Sequence, residues 1–309
     1  MTEKISTEET SQSRRYQLKN RYIFTGLLVM ETAFHIGGGR ASLSSSDSPV
    51  VLTPEGHPFI PGSSFKGVLR STTEKIVPAL PASAGLTTCG LIDLSDEEKR
   101  TAQQHGDFIC SSLRQREIAS QYRAEPQNKK VYEQARNELC DTCQLFGSPF
   151  TASLLSINDL YLSDTIWEDG LIQKRDGVAI DRDSEKARDR FKFDFEVVPA
   201  MTSFKMKITL ENATNQDLQL ISVGLSEFAN GYGTIGGKRS RGLGACILEN
   251  FQVTSLRLDT KDDKERFLNL KNHLLKIQPE PEDGRAFIKR HIEQIFPEET
   301  LNDDSKPNS

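Results

Sequence analysis

The chain has 309 residues, a net charge of -5 and 36% apolar residues, enough for a sizeable core and against intrinsic disorder. Its 39 Lys+Arg against 44 Asp+Glu exclude a surface coated in basic charge but not one basic groove, because distribution matters more than the sum. No stretch approaches the roughly 18 apolar residues that span a bilayer, and the first twenty residues hold no signal-type run, so a cytoplasmic protein with no membrane partner is expected.

Residues 1–17 are polar and read as disordered. From 22 to 36 the pattern is strand-like: Phe24, Leu28, Met30, Phe34 and Ile36 make the better core face, and His35 falls on the other. Gly37, Gly38 and Gly39 end this strand. A serine-rich loop follows, and residues 49–52 start a second strand. A helix is predicted over 64–77, with Phe65, Val68, Leu69 and Ile76 as its apolar stripe. Residues 78–147 read as an insertion with charged helical stretches at 95–105 and 114–136. Short strands are expected over 154–162. The charged segment 174–192 precedes two alternating strands, one with Phe193, Phe195 and Val197, the next with Phe204, Met206, Ile208 and Leu210. A helix over 215–230 puts Leu218, Ile221, Leu225 and Phe228 on one face and Asp217 in its first turn. A glycine-dense loop over 231–244 leads to a last strand over 245–253. Two amphipathic helices are expected at 261–277 and 284–295, before a polar tail from 297 that reads as disordered. The frame strand, helix, strands, helix, strand predicts an α+β fold: a ferredoxin-like or RNA-recognition-type antiparallel sheet with helices on one face and large insertions.

Three groups of residues point to an anionic polymer. Lys238, Arg239 and Arg241 stand among six glycines, which let a backbone approach phosphates closely while the cations add charge. The run is not a Walker loop, for no Gly-Lys-Ser/Thr closes it before a helix, and not a dinucleotide fingerprint, since a strand follows. Asp47 lies in the serine-rich loop after His35, Gly37 and Gly38. One carboxylate there could hold a hydrated divalent ion or orient a ribose hydroxyl; an Asx-type turn before Pro49 is the structural alternative. Gly62, Ser63 and Ser64 bring N–H groups and hydroxyls to a helix start, either an anion site or an ordinary N-cap. Lys66 and Arg70 follow one turn apart, so both can flank one polyanion.

Five cysteines, an odd count in a chain read as cytosolic, speak against a disulfide framework. Cys246 sits in an apolar run and reads as core. Cys140 and Cys143 form a C-x-x-C knuckle that, with Cys89 and Cys110, makes a tetrahedral structural zinc site. His105 is the alternative to Cys89. Such a metal would organise an insertion short of apolar residues.

The segments HIGGG…DSPVV, PFIPGSSFKGVLRS, CQLFGSPF and GGKRSRGLGACILENF, in that order, resemble the RAMP superfamily of CRISPR-associated proteins, and within it the backbone subunit of type III effector complexes in antiviral defence. The resemblance covers residues 22–255 in pieces. It implies a modified RNA-recognition core that stacks along a CRISPR guide RNA, with a β-hairpin thumb interrupting the guide–target duplex. It also implies Mg2+- or Mn2+-dependent cleavage of the target RNA at an aspartate on the loop after the first strand, the position of Asp47. His35, Gly37, Gly38, Ser63, Ser64, Lys66 and Arg70 match guide-binding positions, and Lys238, Arg239 and Arg241 the loop near the guide backbone. Residues 172–200 resemble the thumb, with Arg182, Lys186 and Arg188 toward RNA. The core would then be 18–77 and 148–258, with a zinc-binding insertion at 78–147 and C-terminal helices at 259–296. Expected partners are guide RNA, target RNA and other effector subunits, including copies or paralogues of the chain. The alternatives are a non-catalytic backbone subunit whose sister cuts, and a guide-precursor-processing endoribonuclease with a histidine base.

Overall fold

The computed structural model describes residues 17–38, 46–89, 95, 97, 100, 115–116, 119–120, 123–124, 139–148, 151–163, 171–180, 187–277 and 279–296. The expectations for both termini, for Gly39, His105, Cys110, Arg182 and Lys186, and for most of the charged helices of the insertion fall outside these residues. Among the described residues the elements, in chain order, are β1 (Asn20–Met30), β2 (Phe59–Ile60), α1 (Gly62–Ile76), α2 (Asp141–Phe146), β3 (Leu155–Ile157), β4 (Leu160–Tyr161), β5 (Gln173–Ile180), β6 (Ala187–Val197), β7 (Ser203–Glu211), α3 (Asn215–Ala229), β8 (Gly233–Thr234), β9 (Ala245–Arg257), α4 (Asp263–Leu274), β10 (Glu282–Asp283) and α5 (Gly284–Glu293).

Alternation along β1 buries Tyr22, Phe24, Leu28 and Met30 on one face. β1 is central, pairing Phe24 with Ile208 of β7 and Leu28 with Leu248 of β9. The sheet runs β10-β9-β1-β7-β3, with β8 also on β9, and every pairing is antiparallel. The order β9-β1-β7-β3, with α1 between β1 and β3 and α3 between β7 and β9, matches a ferredoxin-like layer. Phe65 and Leu69 of α1 and Leu218, Ile221, Leu225 and Phe228 of α3 join the buried sheet face in one core. Each such side chain contributes about 1.5–3 kcal/mol of burial. A capping box starts α3: Asp217 N–H donates to the Thr214 hydroxyl, and Thr214 N–H to the Asp217 carboxylate. Because α5 also packs on α3, its burial extends beyond a single stripe.

Two expectations need correction. β1 ends at Met30, since the N–H groups of Glu31 and Thr32 both turn to the Ala245 carbonyl. Beyond that bend the strand parity is lost, and Ala33, Phe34, His35 and Ile36 are all buried; His35 is therefore not on an open face. Residues 49–52 form only isolated bridges, Val50 to Gly37 and Leu52 to Pro58. Pro49 has no N–H, and the N–H of Val50 donates to the Glu196 carboxylate at 3.0 Å instead of to a strand. β6 alternates as read and pairs with β5 in a separate two-stranded sheet running from Gln173–Val197 to Ile180–Ala187.

Candidate nucleic-acid interface and metal centre

β6 brings the sequence-separated groups together. Its alternation sends Phe193, Phe195 and Val197 to one side and Asp194 and Glu196 to the other. On the aromatic side, Phe195 and Val197 pack with Ala33 and Leu243. Lys238 Nζ lies 4.5 Å from the Phe195 ring centre and the Arg241 guanidinium 5.8 Å from that of Phe193, both within cation–π reach. These cations stand on a 3₁₀ turn, Arg239–Arg241, between the left-handed residues Lys238 and Gly242. Gly236 and Gly244 hold the turn in place: both have positive φ, and a Cβ would strike the carbonyl of His35 or of Ile235. Gly237 N–H then donates to the His35 carbonyl at 2.8 Å.

On the acidic side, the Asp47 loop is strapped to β6. Asp47 N–H and the Ser46 hydroxyl donate to Asp194 Oδ1 at 2.6 and 3.0 Å, and Asp194 N–H donates back to Asp47 Oδ2 at 3.1 Å. Glu196 N–H donates to the Ser48 carbonyl at 3.0 Å. Asp47 thus bonds across to the hairpin rather than making a local Asx turn, and its side chain is exposed. His35 joins the two sides. Its Nδ1–H donates to the Glu196 carbonyl at 2.7 Å, which leaves Nε2 to accept from the Ser48 hydroxyl at 3.1 Å, and its ring meets Phe195 edge-on. Burial pushes the His35 pKa below its ordinary value against the pull of that carbonyl, and Lys238 adds to the lowering. Gly37 and Gly38 are exposed, pinned by the Val50 bridge and a Gly38 N–H bond to the Pro49 carbonyl.

At the start of α1, Ser63 is exposed and Ser64 and Lys66 are half-buried. The N–H groups expected to be open there are largely taken: Gly62 N–H donates to Asp159 Oδ1 at 2.7 Å and Ser64 N–H to the Pro61 carbonyl at 2.9 Å. A protein carboxylate already stands at this helix N-terminus. Arg70 turns inward, away from its expected place beside Lys66 on a polyanion. Its guanidinium donates to Glu74 at 2.7 Å, the Gly147 carbonyl at 2.8 Å and Cys143 Sγ at 3.2 Å. Among the described residues no carboxylate forms an ion pair with Lys66, Lys238, Arg239 or Arg241. Burial and a neighbouring arginine hold the pKa values of Lys66 and Lys238 below the usual lysine value. Arg188 lies in β6; the interactions of its side chain fall outside the description.

Cys89, Cys140 and Cys143 converge, their sulfurs all within 4.8 Å of one another. The clasp that brings them together is reciprocal: the Thr87 N–H and hydroxyl donate to Asp141 Oδ2 at 2.8 and 2.6 Å, and Asp141 N–H returns to Thr87 Oγ1 at 3.0 Å. The cluster can hold a metal ion, and the spacing suits three corners of a tetrahedron with bonds of about 2.3 Å. Cys246 is separate; burial, with Glu31 nearby, pushes its thiol up to about 12, as befits a core residue. Asp194, Glu196 and Asp159 escaped the sequence reading. The only available signal was the acid at every second position between Phe193, Phe195 and Val197, a strand with one acidic face.

The chain is similar to known proteins over part or most of its length. A protein of Streptococcus thermophilus, the CRISPR system Cms endoribonuclease Csm3, is 24% identical over 253 residues, 75% of this chain and 89% of that one. The Csm3 endoribonuclease of Methanocaldococcus jannaschii is 40% identical over 60 residues, 19% of this chain and 24% of that one. That of Methanothermobacter thermautotrophicus is 33% identical over 81 residues, 25% of this chain and 33% of that one. The family model of the RAMP superfamily matches residues 28–247, from the second half of β1 into β9, well over half of the sequence. The chain belongs to the RAMP superfamily.

Proposed function

We propose that the chain is a guide-RNA-binding backbone subunit of a type III CRISPR ribonucleoprotein, and that it cuts complementary target RNA beside Asp47. The observation that carries this reading is β6, which holds the exposed Asp47 loop on its acidic side and, on its aromatic side, Lys238 and Arg241, which form no ion pair among the described residues. The similarity to the Csm3 endoribonucleases supports it. Lys238, Arg239, Arg241 and Lys66, with the hydroxyls of Ser63 and Ser64 and the exposed backbone of Gly37 and Gly38, bind the sugar-phosphate strand. Base pairing with the guide chooses the target, so the protein need not read sequence.

The β5–β6 hairpin acts as the thumb, and Arg182, Lys186 and Arg188 supply positive charge for RNA binding. It unstacks one nucleotide, so that the 2′-hydroxyl attacks the adjacent phosphorus in line. The 2′-O–P bond forms as the P–O5′ bond breaks; the 2′-hydroxyl gives its proton to solvent and O5′ takes one from solvent, leaving a 2′,3′-cyclic phosphate and a 5′-hydroxyl. Asp47 keeps one oxygen on the Asp194 N–H, while the other makes no hydrogen bond among the described residues, which fits one protein contact to a hydrated Mg2+ or Mn2+. When bound, that ion supplies charge stabilisation at the phosphate. Cys89, Cys140 and Cys143 hold a structural zinc with Cys110 as the fourth ligand; Arg70 braces that site rather than the RNA. A guide-processing role with His35 as general base is disfavoured, because both its ring nitrogens are engaged and the ring is buried.

Asp47→Ala tests the catalytic reading. Cleavage at this subunit's position is expected to fall by roughly a hundredfold or more, with guide and target binding retained. Undiminished cutting there would leave the non-catalytic backbone role as the better account.

A further inference from the structure

Asp47 and Asp194 lie 147 residues apart, so chain connectivity does nothing to hold one beside the other. Three hydrogen bonds do: two from the Asp47 loop onto Asp194 Oδ1, and one from Asp194 N–H onto Asp47 Oδ2. The bonds onto Asp194 are charge-assisted, and the returned bond restricts the rotamer of the exposed carboxylate. The next rung, at Glu196, aligns Ser48 and Val50 but does not touch Asp47.

We propose that the Asp194 side chain is a positioning residue for target-RNA cleavage: by accepting from Asp47 N–H and the Ser46 hydroxyl it holds the Asp47 loop against the hairpin strand, where the Asp194 backbone N–H can orient the Asp47 carboxylate. This rests on the reading of Asp47 as the acid at the scissile phosphate. It also makes the Asp47 loop sensitive to the hairpin, because any shift of β6 as RNA seats is carried to Asp47 through these bonds.

Asp194→Ala, Asp194→Asn and Asp47→Ala are compared in the assembled guide complex, with single-turnover cleavage and target binding measured separately. Asp194→Ala is expected to slow cleavage roughly tenfold or more at saturating target, since an orienting contact acts on rate, while target affinity stays within about twofold. Asp194→Asn keeps an oxygen that accepts from Asp47 N–H and Ser46, and should recover most of the rate. A merely structural contact would give neither this split nor this rescue. Wild-type cutting by Asp194→Ala, with Asp47→Ala inactive, overturns the positioning role and leaves the reading of Asp47 standing. Asp194→Asn as slow as Asp194→Ala overturns it as well, because charge and not placement would then be what Asp194 supplies. Cutting that survives Asp47→Ala removes the reading beneath the inference, and the inference with it. Should Asp194→Ala fail to assemble, Ser46→Ala takes its place by deleting one donor onto Asp194: cleavage several-fold slower supports the role, and an unchanged rate overturns it.

Discussion

His35 is held neutral by its surroundings, and that neutrality gives a pH dependence of definite sign. Its folded pKa is pushed below the ordinary 6.5 by burial, so the unfolded chain binds the proton more readily. The stability it contributes is fully present above pH 6.5 and is lost as pH falls from there toward the folded value. His291, buried in α5 with its Nδ1 on the Phe287 carbonyl, has a pKa lowered in the same direction and adds to the loss. Thermal midpoints measured from pH 8 down to about 5 should therefore drop below neutrality, and His35→Gln should shrink the drop without abolishing it. Identical slopes for wild type and His35→Gln would show that His35 does not carry its share. Cys246 has the opposite experimental signature: with a thiol pKa of about 12 in the core, it should resist alkylation under conditions that modify the partly exposed Cys89 of metal-free protein.

At the scale of elements, two short structures carry more than their length suggests. The turn around Arg239–Arg241 depends on backbone conformations that only glycine adopts freely on either side of it. Gly244→Ala forces a side chain against the Ile235 carbonyl at positive φ, and should cost about 1–3 kcal/mol in denaturant unfolding. RNA affinity should fall with it, since Lys238 and Arg241 would leave the rings of β6. The second structure is α2, whose N-cap and first turn present Cys140 and Cys143. Elemental analysis should find about one zinc per chain, and Cys143→Ser should lose it. Arg70 keeps its bonds to Glu74 and the Gly147 carbonyl in that variant, so a loss of stability would report the metal. A metal-free protein with full thermal stability would refute the zinc site.

For the whole molecule, the question is how a chain of net charge -5 grips a polyanion. On the proposed reading the grip comes from Lys238, Arg239 and Arg241, gathered on one turn, and from Lys66, none of which forms an ion pair among the described residues. Each phosphate contact to single-stranded RNA contributes about -0.7 to the slope of log K against log salt, so four such cations predict a slope of roughly -3 from this subunit. Lys238→Ala should make the slope shallower by about one such contact, and an affinity independent of salt would contradict the interface.

Much of the fold is local and was therefore legible. Periodicity marked the core face of β1, the limits of α1 and α3, and the fused glycine-basic loop before β9, because each depends on neighbours in sequence. Residue type and spacing singled out Lys238 and the knuckle cysteines as candidates, while the role expected of Asp47 came from the resemblance. The partners could not be named. That β6 lies between the Asp47 loop and the basic turn, that Asp194 holds Asp47, that Asp159 closes the start of α1 and that Arg70 turns to a sulfur are all contacts between segments far apart in the chain. A sequence determines which groups want partners and what sort of partner each wants. Which distant group meets that want follows from how the sheet and hairpin stack, because hydrogen bonds and desolvation depend on ångström distances that linear spacing does not encode.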